Sequence, residues 1–267
     1  MSLRINSNVE AFNAHRQLVG TSEKLSKSME RLASGQRINR AADDAAGLAI
    51  SERLRAQTNG LAQAQRNAQD AVSLVQTAEG ALNEVHSMLQ RVRELAVQYK
   101  NGSLSAGDQV AIQSEVDQLA SEIARIGTSA DFNGIKLLSS NGAITFQVGA
   151  NDGQTIAVST VDIVSALGAS YATLNDGPDL SEIDAAIGAV SQQRASFGAV
   201  QNRLEHTLNN LATYQENLMA SESRIRDVDM ASEMVEFTKS QILQQAGTSM
   251  LAQANQAPQS VLTLLRG

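Results

Sequence analysis

Three histidines are the side chains best suited to acid–base or metal chemistry in this sequence. His15, His86 and His206 lie far apart, and none belongs to an HExxH pair, in which two histidines one helical turn apart bind zinc. No glycine-rich loop precedes a lysine, and no combination of Ser, His and Asp has a recognisable local signature. The sequence has no cysteine, which excludes thiol chemistry and Cys-ligated metals. We therefore predict no catalytic residue, no metal, no cofactor and no enzymatic activity.

Charge is distributed unevenly along the chain. Residues 1–40 hold seven Lys or Arg against three Glu, so this arm carries +4 and the remainder −11 of the net −7. A basic arm can bind nucleic acid. Here, however, the basic residues alternate with apolar ones such as Val9, Phe12 and Val19, which is typical of the polar face of an amphipathic helix. We predict no nucleic-acid partner.

Neither membrane insertion nor Sec-dependent export is expected from the hydropathy pattern. The first residues contain no apolar h-region, and no run of about 18 apolar residues occurs anywhere in the chain. The apolar group near the C-terminus, residues 261–265, is too short to span a bilayer. We predict no membrane span, and if the protein leaves the cell, another export system carries it.

A long heptad repeat must position the rest of the chain. From Leu61 to Tyr99, apolar residues are separated alternately by three and four positions without a miss, which is the spacing of a coiled-coil helix. Such a stripe stays in contact with a neighbour only if the helices wrap gently around each other, so it requires a partner helix. The larger side chains of this helix seam are Leu61, Val75, Leu82, Val85, Leu89 and Val92. With its extension through Ile50, the helix covers about 75 Å and predicts a rod.

The remaining pattern predicts further helices and one hairpin. Helical spacing runs over 5–32 and ends at Ser34 and Gly35, and helical segments are also predicted over 106–126, 180–226 and 230–265. Asp43 or Asp44 is the expected N-cap of the long helix. In the segment over 106–126, we expect Val110 on the apolar side and a helix end at Gly127. Asn133 and Gly134 predict a turn with positive φ.

The period changes from helical to alternating over 144–158, which predicts a β-hairpin. The predicted fold class is mainly α: a long antiparallel helical bundle or coiled-coil rod with this small hairpin, in which the N- and C-terminal helices pair together. We predict terminal axial helices and connecting segments over 1–44 and 227–267, which serve assembly, and a helical rod domain over 45–226.

Both ends of the chain resemble a known family. The motifs are RINSNVEAFNA near the start, LASGQRINRAADDAAGLAISERLRAQ over 32–57, LQRVRELAVQ over 89–98, and ASEMVEFTKSQILQQAGTSMLAQANQAPQSVLTLLRG from Ala231 onward. These motifs are similar to bacterial flagellin, the subunit of the flagellar filament. Residues 140–180 lack a distinctive match, so the chain resembles a minimal form without the variable outer domains.

The resemblance implies a structural subunit that polymerises into the flagellar filament for swimming motility. Its terminal helices would line the filament axis and acquire their full burial from neighbouring subunits. The implied partners are copies of itself, an export chaperone with the flagellar secretion apparatus, and the hook-associated and cap proteins. The implied location is the extracellular flagellum. The expected assembly residues are Ile5, Val9, Phe12, Met250, Leu251, Val261, Leu262, Leu264 and Leu265.

The resemblance also implies recognition by the flagellin-sensing Toll-like receptor. The matching motif positions are Gln90, Arg91, Leu95 and Glu115. Spacing alone favours a different interpretation, in which Arg91 and its neighbours form a solvated face beside the helix seam. Two alternatives to a filament subunit are a hook–filament junction protein, which shares the terminal helices, and a soluble coiled-coil signalling or adaptor protein.

Overall fold

The computed structural model describes residues 8–168, 170–174 and 179–266, with side chains at all of these positions except 170, 179 and 257–266. Within these residues the chain is mainly helical, with long helices packed together, as predicted, and it has two small antiparallel hairpins where one was predicted. The α-helices are α1 (Val9–Ser34), α2 (Ala45–Tyr99), α3 (Ala106–Ser129), α4 (Ile163–Leu167), α5 (Asp179–Arg226) and α6 (Met230–Arg266). A short 3₁₀ helix covers Ser170–Ala172.

The break between α1 and α2 is built by local hydrogen bonds. α1 ends at Gly35, which adopts a left-handed conformation with φ of 72°, and its backbone N–H donates to the carbonyl of Arg31. The predicted cap of α2 is Asp44, whose Oδ1 accepts from the backbone N–H of Gly47 at 2.8 Å. Asp43 instead accepts from the backbone of Arg40 at 3.1 Å. Asp44 therefore caps the start of the helix, whereas Asp43 stabilises the connecting loop.

The heptad repeat of α2 is buried along its predicted length. Each of its apolar positions from Leu61 to Ala96 is at most 2% exposed, and Tyr99 is partly buried against the same core. Leu74 and Leu95, which lie beside seam positions, are also buried. The buried face of α2 is thus wider than a two-helix seam because more than one helix packs against it.

The partners of this seam come from α3 and α5. The buried residues of α5 in the shared core are Ile183, Ala186, Val190, Phe197, Val200 and Leu204. On α3 the buried positions are Ile112, Val116, Ile123 and Gly127. Two predictions for α3 were wrong. Val110 is 70% exposed, because Ile112 faces the core in its place. The helix also continues past Gly127, which is buried where a Cβ would lie 2.9 Å from a methyl group of Ile163.

The two hairpins follow the predicted turns. Strands β1 (Asp131–Phe132) and β2 (Ile135–Lys136) flank Asn133 and Gly134, which have φ of 51° and 78°. Strands β3 (Gly142–Gln147) and β4 (Thr155–Thr160) pair antiparallel, with Ile144 opposite Val158. Ile156 and Val158 are buried in the core, so the larger hairpin is stabilised by helix packing rather than by its own ladder alone.

The chain divides into two compact units. The central unit is formed by residues 57–217, and the terminal unit by residues 1–56 with 218–267. We predicted boundaries at 44 and 227, near the helix breaks. The first turns of α2 and the last turns of α5 belong to the terminal unit, where Glu52 and Arg226 form an ion pair at 2.6 Å.

Candidate assembly and recognition surfaces

The terminal unit is built on an antiparallel pair of helices, α1 and α6. The Asn8 amide donates to the carbonyl of Ala254 at 2.7 Å, and the Ser28 hydroxyl donates to Glu233 at 2.6 Å. Residue numbers thus increase along α1 as they decrease along the facing side of α6, so the two helices are antiparallel. This confirms the prediction that the N- and C-terminal helices pair together.

Nine small or polar side chains and five larger apolar ones form the contact between α1 and α6. We call these positions, spaced alternately by three and four residues, the terminal contact row. They are Ala11, Ala14, Leu18, Thr21, Leu25, Ser28 and Leu32 on α1, and Glu233, Phe237, Ser240, Gln244, Gly247, Leu251 and Ala254 on α6. Ser28 and Ser240, at 4% and 2% exposed, are the most buried of them. A Cβ at Gly247 would lie 3.2 Å from Leu18, so the two backbones approach closely there.

A partly buried carboxylate fixes the register of this pair. Glu233 accepts from Ser28 with one oxygen, and its other oxygen lies 3.5 Å from the Arg31 guanidinium. The two charged side chains are only 12% and 27% exposed. Because a charge in this position is stabilised only while its partners are present, the contact disfavours any other alignment of α1 against α6.

The breaks at the two ends of the terminal helices are joined by backbone hydrogen bonds. Gln36 and Asp227 form an isolated antiparallel bridge, in which the N–H of Arg37 donates to the carbonyl of Arg226 at 2.7 Å. The N–H of Val228 returns a bond to the carbonyl of Gly35 at 3.1 Å. Both helix breaks are therefore held at one junction within the terminal unit.

Large apolar side chains of the terminal unit point away from its internal contact. We call them the exposed apolar set, and their exposed fractions lie between 40% and 71%. They are Val9, Phe12, Val19, Met29, Ile50, Met219, Met230, Met234, Val235, Ile242, Leu243 and Met250. Exposed apolar groups concentrated in this way in one unit of the protein mark surfaces of interaction.

The predicted assembly residues fall into two groups. Val9, Phe12 and Met250 belong to the exposed apolar set, and Leu251 is partly buried in the terminal contact row. Ile5 lies outside the described residues. α6 is helical through Arg266, but the side chains of Val261, Leu262, Leu264 and Leu265 also lie outside the described part of the chain.

A second surface, on the central unit, brings together residues 24 positions apart. The Arg91 guanidinium donates through Nε and Nη2 to one oxygen of Glu115, at 3.0 and 2.9 Å, and contacts Glu94 at 3.2 Å. The hydrogen bond that Arg91 donates to Glu115, with a smaller contribution from the one to Glu94, raises the pKa of Arg91. Arg91 on α2 and Glu115 on α3 thus form one exposed charged surface, which we call the Arg91 surface.

The other two predicted recognition residues are placed differently. Gln90 is exposed and its amide lies 3.0 Å from Nε2 of His86. Leu95 is only 2% exposed and belongs to the core. Its side chain therefore does not face solvent. His15 and His206 are exposed in other parts of the chain.

Sequence reasoning missed the terminal contact row because it named only assembly residues on α1 and assigned none of its positions to the pairing of the terminal helices. Val9, Phe12, Val19 and Met29 are exposed, and Ala, Thr, Ser and Leu occupy the contact positions. A signal was available: the alternating spacing of small residues from Ala11 to Leu32 matches the α2 repeat.

No helix in the described part of the chain combines the length and apolar content needed to cross a bilayer.

Comparison with known families gives two matches that together cover most of the chain. Residues 5–143 match the bacterial flagellin N-terminal helical region. Residues 180–265 match the bacterial flagellin C-terminal helical region. The segment between these matches includes β4 and α4.

Similar proteins align over nearly the whole chain. A flagellin of Halalkalibacterium halodurans is 54% identical over 98% of this chain and 99% of that protein. A flagellin of Bacillus subtilis is 48% identical over 99% of this chain and 100% of that protein. Among solved structures, Bacillus cereus flagellin matches with a TM-score of 0.50 and 35% identity, over 55% of this chain and 88% of that chain.

Proposed function

This chain belongs to the bacterial flagellin family and is a structural subunit that polymerises into the flagellar filament for swimming motility, and we propose that the exposed apolar set carries its subunit contacts. It is a minimal form without a variable domain, located in the extracellular filament. The hook–filament junction and adaptor alternatives are not favoured. The observation that supports the proposal most is the exposure of Phe12, Val235 and Ile242 at 61% or more. Burying such side chains yields about 1.5–3 kcal/mol each.

The exposed positions of α6 lie on more than one face of the helix. Leu243 and Met250 are seven residues apart and share one side of α6, whereas Met234 lies nine residues before Leu243, about 180° around the helix at 3.6 residues per turn. A head-to-tail polymer needs two different surfaces on each subunit, because each subunit binds the next one through one surface and the previous one through another. Two apolar faces on one helix meet this requirement.

The start of α1 and the last turns of α6 lie at the same end of the helix pair. Because Asn8 meets Ala254, Val9 and Phe12 lie close to the level of Met250 and Leu251. We propose that Ile5 and the leucine-rich segment 261–265 continue this apolar end along the filament axis. A free subunit would expose this apolar end. We therefore expect an export chaperone to bind it and to cover α6 before the subunit passes through the secretion apparatus. Hook-associated and cap proteins, which meet the filament ends, would use it as well.

Polymerisation of substituted subunits tests the assembly proposal. Ile242→Asp and a chain lacking residues 261–267 should remain folded but fail to form filaments after seeding, measured by sedimentation and electron microscopy. Ile135→Asp is the matched control, because Ile135 is also exposed, at 44%, but lies in a hairpin of the central unit. Normal filaments from Ile242→Asp and from the truncated chain would overturn the proposal.

We also propose that the Arg91 surface binds the flagellin-sensing Toll-like receptor. Arg91 and Glu115 meet there, and Gln90 is the exposed residue next to Arg91 in the chain. The two N–H bonds from Arg91 to one oxygen of Glu115 orient its planar guanidinium. Arginine in such a position is typical of binding hot spots. If subunits also meet through this surface, receptor binding competes with assembly.

Receptor activation by single variants tests the second proposal. Arg91→Ala in the monomer should lower the response at least about tenfold, or 1.4 kcal/mol. Arg125→Ala is the control, since Arg125 also forms an exposed ion pair on α3, with Glu122 at 2.6 Å. An equal response to Arg91→Ala, with its helical content unchanged, would contradict receptor binding at this surface.

A further inference from the structure

Methionine is concentrated in the exposed apolar set. Of the seven methionines in the chain, five are between 48% and 60% exposed, and all five lie in the terminal unit. They are Met29, Met219, Met230, Met234 and Met250. Met88 in the central unit is partly buried against its core, and Met1 lies outside the described residues. We propose that these five thioethers are an oxidation site through which hydroperoxides stop the subunit from polymerising.

The chemistry requires only an exposed thioether and a hydroperoxide. The sulfur lone pair attacks one peroxide oxygen, the O–O bond breaks, and the second oxygen leaves as water or an alcohol after taking up a proton. Sulfur loses two electrons and the peroxide gains them. The product is methionine sulfoxide, a polar and chiral group that disrupts methionine-rich contacts.

The placement of the methionines makes the modification matter for assembly. Met29 follows Ser28 and Met234 follows Glu233, and the Ser28–Glu233 hydrogen bond places both at one level of the helix pair. Met230 lies one turn from Met234. Sulfoxides on this surface would introduce strong acceptors without donors to satisfy them once subunits close around it. This step rests on the proposed role of the exposed apolar set in subunit contacts.

Assembly should also protect the same residues. A methionine that is half exposed in the subunit becomes inaccessible when a neighbour covers it, so the sensitivity belongs to the free subunit and not to the finished filament. Met88 provides an internal reference, because its packing within the central unit does not depend on polymerisation.

The experiment treats the full chain with hydrogen peroxide, as monomer and as filament, and maps sulfoxides by peptide mass spectrometry. In the monomer, the five exposed methionines should oxidise before Met88. The critical concentration for seeded polymerisation should then rise at least about tenfold, or 1.4 kcal/mol. Methionine sulfoxide reductases of both stereospecificities should restore it.

A substituted chain separates methionine oxidation from other peroxide damage. The five exposed methionines are replaced together by leucine, which has a similar volume and no thioether. This variant should polymerise with or without peroxide treatment. Met88→Leu, as the matched control, should stay sensitive.

Three results decide the outcome. Oxidised monomer that polymerises at the original critical concentration, while the methionines are protected in the filament, overturns the oxidation inference but leaves the assembly proposal standing. Peroxide inhibition of the five-leucine variant equal to that of the original chain also overturns the inference. Equal oxidation rates of the five methionines in monomer and filament overturn the assembly proposal, and the inference with it.

Discussion

The two units of this protein use the same heptad spacing for opposite purposes. In the central unit, the repeat of α2 consists of Ala, Val and Leu and is closed from solvent, with Leu82, Val85 and Leu89 at 0% exposure. In the terminal unit, the repeat of α1 and α6 is occupied largely by small and polar residues, and its most buried members are Ser28 and Ser240. The twelve large apolar residues of the exposed apolar set remain on the surface of the terminal unit.

The difference shows where each unit obtains its stability. Burial of apolar surface contributes roughly 25 cal/mol per Å², and the central unit completes that burial within one chain. The terminal unit has mostly small and polar side chains at its own helix contact and leaves twelve large apolar ones exposed. In the proposed assembly, neighbouring subunits cover what the single chain leaves exposed.

The largest expected effect comes from the same substitution, Leu to Asp, made once in each unit. Leu82→Asp places a charge in the closed seam and should destabilise the central unit by at least about 4 kcal/mol, seen as a fall in thermal and denaturant midpoints of the monomer. Leu243→Asp is the matched change in the terminal unit, where the leucine is 50% exposed. It should leave those midpoints unchanged. If both variants unfold alike, the two repeats do not differ as described.

An intermediate effect sharpens the comparison within the terminal unit. Ser28→Ala removes the hydroxyl that donates to Glu233 and should lower the opening free energy of α1 and α6 by about 1–2 kcal/mol, measured by amide hydrogen exchange. Central-unit amides should keep their protection, because α2, α3 and α5 have their own core. Ser26→Ala, at an exposed position on the same helix, is the control. Equal amide exchange rates in Ser28→Ala and Ser26→Ala would contradict the role of Glu233 in fixing the register of α1 against α6.

The smallest effect compares one carboxylate from each unit under acid. Hydrogen bonds from Lys27, then from the backbone of Arg40, lower the pKa of Asp43 below 3.8. Hydrogen bonds from Ser105 lower the pKa of Asp108 in the capping box of α3. A lowered folded-state pKa means that each contribution is present above the unfolded pKa and lost as pH falls through the folded value.

Acid titration should therefore loosen two local structures below about pH 4. Amide exchange should rise in the loop after α1 and in the first turn of α3, while the α2 seam stays protected. Asp43→Asn should abolish the pH dependence in the first region and leave that of the second. A pH-independent loop in the unsubstituted chain would contradict the role given to Asp43.

Strong periodicity made most of the architecture predictable from sequence. The α2 repeat, the glycine stop at Gly35, the turn at Asn133 and Gly134, and the hairpin with Ile144 opposite Val158 each follow from local rules of spacing and backbone conformation. The terminal helix pairing followed from the resemblance and from the symmetric layout.

The wrong and the missing predictions required knowledge of which neighbour is present. No α1 position was assigned to the terminal helix contact, because the sequence alone does not show that α6 packs on Ala11, Ala14 and Ser28 and leaves Phe12 71% exposed. Leu95 could not be distinguished from a surface residue, because its burial depends on α2 having two partner helices instead of one. Gly127 was read as a helix stop, although its role is to admit Ile163 at close range.

The hydrogen bond between Asn8 and Ala254 also sets an order of events. It joins residues 246 positions apart, so α1 has no partner until nearly the whole chain is available. Contacts this distant in sequence form late, because closing the intervening chain costs entropy that only prior folding of the segment between them reduces. A chain that emerges from its N-terminus first therefore completes the central unit before its ends can pair. The proposed assembly surface is thereby formed last, when the whole chain is available.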